Sequence, residues 1–173
     1  MLGDLVILRA MDAGDAEALW RWNSDPEVMR WLSDGYPDTR EQVRKWLEDR
    51  PRNAYDDVLF GIEVRSEGTL IGLVRLHGAK AETGCSELDI YLGEKGFWGR
   101  GYATDAMRTA CRYGFEKMRL HKIKLTVVTE NHAAHHVYRK VGFVEEGRLR
   151  QCFRRDGDWY DMFTMGLLEG ELR

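Results

Sequence analysis

The chain has 173 residues, 43% of them hydrophobic and 32% charged, the size and composition of one globular domain with its own core. A formal net charge of -3 supplies no general attraction to nucleic acid, and no stretch approaches the ~20 apolar residues of a membrane span. Nucleic-acid and membrane partners are set aside, and residues 1–173 are read as a single domain.

Cys85, Cys111 and Cys152 are odd in number, widely spaced and outside any CxxC pattern, so buried free thiols are expected rather than a disulfide framework or a zinc site. The apolar run at residues 5–8 lies between Asp4 and Arg9, too short for a secretory leader, and the expected compartment is the cytoplasm.

The segment Leu5 to Arg9 is short and β-branched, a first strand. Asp12-Ala-Gly-Asp15 has the form of a helix cap, after which Ala16, Leu19 and Trp20 mark one helical face. Asp25-Pro26 predicts a further helix with Val28, Met29 and Leu32 on one side. Thr39-x-x-Gln42 is a capping box, and Val43, Trp46 and Leu47 follow at helical spacing until Pro51. Residues 58–65 and 69–76, joined by Ser66-Glu67-Gly68, predict an antiparallel hairpin, and residues 87–92 a further strand.

Ala103, Ala106, Met107, Ala110, Cys111, Phe115 and Met118 line one side of a long helix, with Asp105, Arg108, Thr109 and Arg112 opposite. Residues 122–128 alternate as a strand. Asn131 is a good N-cap for a helix through Val141, which Gly142 ends. Residues 143–153 and 159–168 bracket Asp156-Gly157, a strong hairpin turn. The expectation is a mixed α/β fold with about seven strands and flanking helices, in which the strands at 87–92 and 122–128 are parallel through the helix between them.

The sharpest motif runs from Gly93 through Phe97-Trp98-Gly99-Arg100-Gly101-Tyr102-Ala103 into the long helix. Glycines let backbone N–H groups approach an anion, and the helix N-terminus adds open donors, a combination that suits a diphosphate. A turn needed only to join strand to helix is the alternative. No Gly-x4-Gly-Lys-Ser/Thr is present, and a dinucleotide fingerprint would need a third glycine where Thr104 stands.

One strand later comes Asn131-His-Ala-Ala134, then Tyr138 and Gly142-Phe143. Together with Gly101 and Ala103, this segment resembles the GNAT superfamily of N-acetyltransferases, whose acyl-CoA turn is written Gln/Arg-x-x-Gly-x-Gly/Ala. Trp98 stands where Gln or Arg is commonest. Asn23-Ser-Asp-Pro-Glu-Val28, Glu146-Gly-Arg-Leu-Arg150 and Tyr160-Asp161 are similar to the branch with ribosomal-protein alanine and spermidine acetyltransferases.

The resemblance implies a single GNAT-like domain with acetyl-CoA as cosubstrate, bound where two parallel strands splay. The pantetheine would pair with the backbone of Ile90, Tyr91 and Leu92, and the pyrophosphate with N–H groups of Trp98, Gly99, Arg100, Gly101, Tyr102, Ala103 and Thr104. Arg100 or Lys140 would reach a phosphate, and Asn131 is counted among the cofactor contacts. Tyr138 would protonate the departing thiolate, and a homodimer is compatible with the family.

Glu87 and Asp89 alternate onto one strand face and are candidate bases for the incoming amine, with Glu87 preferred. The acceptor is expected to be a primary amine: a protein N-terminus, a small α-amine or a polyamine. An α-amino group is about a tenth neutral at pH 7, a lysine-like amine fewer than about one in a thousand, which favours the α-amine. A non-catalytic acyl-CoA-binding module is the alternative on the same fold. His132, His135 and His136 lie close on a helix, but zinc requires further ligands that are not signalled, so no metal is expected. Arg148, Arg150, Arg154 and Arg155 are expected to form one solvated hairpin face.

Overall fold

The computed structural model describes residues 1–33 and 36–173. One seven-stranded sheet runs in the order β1 (Val6–Ala10), β2 (Asp57–Val64), β3 (Leu70–Lys80), β4 (Cys85–Leu92), β5 (Lys122–Val128), β7 (Asp158–Leu168), β6 (Val144–Arg155). Every neighbouring pair is antiparallel except β4 and β5. That pair is joined by α3 (Tyr102–Glu116), the kind of crossover that parallel strands require. Helices α1 (Ala16–Asn23) and α2 (Arg40–Asp49) precede β2, and α4 (His132–Val141) joins β5 to β6.

Strand alternation divides the apolar side chains between two faces. Phe60, Ile62, Val74, Leu76 and Leu88 pack with Met107 and Ala110 of α3 and Val141 of α4. On the other face Leu73 and Tyr91 pack with Leu19, Trp22, Val43 and Leu47 of α1 and α2. The predicted caps form: Thr39 and Gln42 bond reciprocally, and Asn131 Oδ1 accepts the Ala134 N–H at 3.2 Å. Asp156 and Gly157 adopt φ of 53° and 92°, the mirror-image turn that Asp-Gly favours. No helix among the described residues is long and apolar enough to cross a membrane.

Several expectations are corrected. After Pro26 the chain makes no α-helix but a turn and a 3₁₀ helix at Met29–Trp31, and Leu32 is extended. Tertiary contacts override the local signal: Trp31 packs on Phe153 and Tyr160, at 6.3 and 5.5 Å between ring centroids, and Arg155 donates to the Leu32 carbonyl. That contact also removes Arg155 from the solvated arginine face, beyond a bulge in β6 where Gln151 has φ 50°.

Asp105 and Thr109 do not face solvent but are buried. The Asp105 carboxylate accepts N–H groups of Asp4, Leu5 and Val6 at 3.1, 2.8 and 3.0 Å, fastening the start of β1 to the first turn of α3. Of the three thiols only Cys111 is buried; Cys85 is half-buried and Cys152 exposed.

Candidate active site

Gly93 lets the end of β4 close on α1, because a Cβ there would stand 2.0 Å from the Trp22 ring. The chain then makes a 3₁₀ turn at Lys95–Phe97 and reaches Gly99 and Gly101, at φ +73° and +88°. Side-chain-bearing residues adopt such values at a cost of about 1–2 kcal/mol. Space is not the reason for glycine here: nothing lies within 4 Å of a Cβ on Gly99, and only Leu5 Cδ1, at 3.6 Å, near one on Gly101.

The Trp98 N–H goes to Lys95 and the Asp105 N–H to Gly101, whereas the N–H groups of residues 99–104 donate to no described residue. These consecutive donors open the 15-residue helix α3, where the peptide dipoles add positive potential, and together they can hold an anion. Arg100 and Lys140 are exposed, and neither has a carboxylate partner among the described residues. Thr104 is buried and Tyr102 packs edge-on to Phe97 at 5.4 Å, so both offer backbone rather than side chain to a ligand, as does Ala103.

β4 and β5 are paired only where residues 85–87 meet residues 122–124. Beyond that point β4 stays with β3 while β5 continues along β7, and the parallel pair forks. The edge of β4 that faces the fork runs through Ile90, Tyr91 and Leu92 toward the glycine turn. Trp98 Nε1 donates to the Leu92 carbonyl at 2.9 Å, so that group is engaged. Ile90 and Leu92 pack toward α3, while Tyr91 lies on the other face, edge-on to Trp22 at 6.1 Å, with its hydroxyl donating to Asn23 at 3.1 Å. All three therefore present main chain to the fork.

The Asn131 cap fixes the start of α4, which carries Tyr138 into the core at 9% exposure, its ring 6.1 Å from Phe143. Burial, with the nearby Asp89 charge adding to it, pushes the phenol well above its ordinary value, so it stays protonated throughout the neutral range. Among the described residues none hydrogen-bonds its Oη.

Glu87 and Asp89 share the α1–α2 face of β4 with Tyr91. Glu87, the preferred base in the sequence, sits where the parallel strands are still paired, its Oε2 3.5 Å from Lys124 Nζ. Asp89 sits beyond the fork, its Oδ2 2.8 Å from His77 Nε2. The sequence reading ended the strand at Leu76 and so passed over His77, which the longer β3 carries opposite Glu87. His135 Nε2 meets Glu145 Oε1 at 2.8 Å, while His132 and His136 are exposed. Among the described residues no group of three or more His, Cys, Asp or Glu converges as a metal site. A groove beside α2, lined by Trp46, Arg50, Asp57 and Arg75, contains none of the residues of the glycine turn or the fork apex.

Comparison with known proteins identifies the fold and the family. A family profile described as the acetyltransferase (GNAT) domain matches residues 6–144. The crystal structure of a GNAT-family acetyltransferase from Bacillus anthracis superimposes with a TM-score of 0.85 at 26% identity, covering 99% of each chain. That of spermidine N-acetyltransferase from Vibrio cholerae, in complex with CoA and spermine, gives a TM-score of 0.84 at 29% identity over 96% of this chain and 97% of that one. A putative ribosomal N-acetyltransferase of Bacillus subtilis, YdaF, is 27% identical over 96% of this chain and 92% of its own length.

Proposed function

The chain belongs to the GNAT acetyltransferase family and is an acetyl-CoA-dependent N-acetyltransferase, and we propose that its acceptor is a primary α-amine of a small molecule or a protein N-terminus. The observation that carries the catalytic reading is the Tyr138 hydroxyl, on a residue 9% exposed, held protonated and bonded to no described residue.

In this reading the N–H groups of residues 99–104 hold the pyrophosphate, Arg100 and Lys140 meet phosphate oxygens, and the fork-facing edge of β4 from Ile90 to Leu92 pairs with the pantetheine amides. Asn131 contributes by capping α4 and thereby placing Tyr138. Bound acetyl-CoA supplies the acetyl thioester. Tyr138 gives its Oη proton to the sulfur as the C–S bond breaks, and a β4 carboxylate, Glu87 or Asp89, takes a proton from the ammonium.

The choice of an α-amine rests on charge. Glu87 is paired with Lys124 at 3.5 Å and Asp161 with Arg148 at 2.7 Å, and Asp89 stands opposite Arg75 in the β3–β4 register. Little surplus negative charge is left to draw in a polycation, and an α-amine is neutral far more often than a polyamine nitrogen. A polyamine acceptor is the second reading, favoured by the likeness to the spermidine acetyltransferase.

Thiol release from acetyl-CoA across N-terminal peptides, α-amino acids, spermidine and aminoglycosides tests the proposal. A larger kcat/KM for an α-amine than for spermidine is expected. The reverse order installs the second reading, and CoA binding without transfer to any amine would make the chain a non-catalytic acyl-CoA-binding module.

A further inference from the structure

Building on the N-acetyltransferase reading above, we propose that Asp89, held by His77, is the carboxylate that receives the acceptor ammonium and takes its proton.

Glu87 and Asp89 share a strand face but not a position relative to the fork. Glu87 is opposite Lys124 at the last paired position of the parallel strands, and the lysine ammonium stands 3.5 Å from its carboxylate. A substrate ammonium would have to displace a resident one. Asp89 lies two residues farther, where β4 has lost its β5 partner. Its side chain is 59% exposed against 34% for Glu87. Its charge also acts on Tyr138. The group that takes a proton from nitrogen and the group that gives one to sulfur flank the same carbonyl carbon, so the two must be near neighbours.

His77 reaches Asp89 from β3, with its buried Nε2 2.8 Å from Oδ2, at hydrogen-bond distance but off the line of one and with no other hydrogen-bond partner among the described residues. The charged groups facing His77 are Asp89 and Glu87 on β4, Asp57 on β2 and Arg75 on its own strand. Asp57 is already bound by Arg75 at 2.7 and 2.9 Å and by Arg50 at 2.9 Å, which leaves Asp89 as the dominant influence. The Asp89 carboxylate raises the imidazole above its ordinary value, against the opposing effect of burial. A proton taken by the pair therefore rests on carboxylate and imidazole together, a better resting place than a carboxylate alone. His77 touches Asp89 and not the substrate, and is a positioning residue.

R–NH3+ gives one proton to the Asp89–His77 pair and becomes R–NH2, whose lone pair forms the C–N bond to the thioester carbonyl carbon. The C–S bonding pair leaves with sulfur, which takes the Tyr138 proton to give the thiol. The nitrogen loses its second proton, restoring the Tyr138 hydroxyl, and the pair returns its proton to solvent. The products are the acetamide, CoA thiol and one released proton.

Single-turnover acetyl transfer is measured from pH 5.5 to 9 for the wild type, Asp89→Asn, Glu87→Gln, His77→Gln and His77→Ala, with CoA affinity and melting as folding controls. Asp89→Asn is expected to lose roughly 10²-fold, more than Glu87→Gln, with CoA affinity retained. Should Asp89→Asn melt early, Asp89→Ser carries the comparison. Because the pair accepts a proton only while His77 is neutral, wild-type transfer rises with pH through the His77 titration, located separately by NMR of the imidazole. The ratio of wild type to His77→Gln cancels the substrate's own titration and displays that inflection. The glutamine amide can still donate to Asp89, so His77→Gln keeps more activity than His77→Ala. A greater loss in Glu87→Gln than in Asp89→Asn, or a ratio flat across the His77 titration, overturns the assignment alone. A wild type that transfers to no amine overturns the N-acetyltransferase reading with it.

Discussion

Trp98 Nε1 donates to the carbonyl of Leu92 across 2.9 Å and so ties the glycine turn back to the last residue of β4. Strand fork and helix N-terminus are thereby held in one frame. The indole occupies a position where the family pattern has Gln or Arg, and its contribution is to the main chain of the strand rather than to a phosphate.

CoA or acetyl-CoA at about 100 times its Kd should stabilise the protein by about 2.7 kcal/mol and raise its melting temperature by roughly 5–10 °C. ATP and NAD at the same concentration should do little. A thermal-shift experiment in which a nucleotide stabilises and CoA does not would reverse the reading of residues 99–104.

Gly101→Val places a branched side chain at φ +88°, in the approach to the open N–H groups. CoA affinity should fall by about tenfold or more, with a smaller change in saturated turnover and an added backbone strain of about 1–2 kcal/mol. Titration calorimetry on protein whose circular dichroism is native separates the two. Wild-type affinity in such a protein would reduce the loop to a turn.

Tyr138→Phe keeps the ring against Phe143 and removes only the hydroxyl. Single-turnover transfer should fall by roughly 10²-fold while CoA binding barely changes. Because burial holds the phenol protonated, the wild-type rate should show no alkaline loss from Tyr138 between pH 6 and 9. Wild-type transfer by the phenylalanine variant across that range would leave Tyr138 as a packing residue.

Asp105→Ala removes the acceptor of three backbone N–H groups at the start of β1. With hydrogen bonds to charged groups worth about 1.5–3 kcal/mol each and only partly additive, urea denaturation should show a loss of about 2–4 kcal/mol. Amide exchange should quicken first at Leu5 and Val6. Unchanged exchange there would mean that the clasp is not what orders the segment.

Stability should also fall at alkaline pH. Burial pushes both the Cys111 thiol and the Tyr138 phenol up, so the native state keeps protons that the unfolded chain releases above about pH 8.5 and 10. Above those values the unfolded state binds fewer protons than the native one, and unfolding becomes easier as pH rises. The contribution is complete below about pH 8 and is lost progressively above it. Urea midpoints from pH 7 to 11 measure this, and Cys111→Ala should flatten the earlier part of the fall.

The sequence by itself determined what short-range chemistry controls. Thr39 with Gln42, Asn131 with Ala134, and Asp156-Gly157 each act within a few residues, so caps and turns were legible, as were the hairpins and the parallel pair they frame. The glycine turn was legible for the same reason, since Gly99 and Gly101 answer to their own φ values. Tertiary structure alone decided which polar groups meet across the fold. It buried Asp105 against residues about 100 positions away, put Trp31 on Phe153 and Tyr160 in place of a helix after Pro26, and parted β4 from β5 between Glu87 and Asp89. Such pairings depend on where sheet and helices bring distant side chains into contact, which neither periodicity nor local propensity contains.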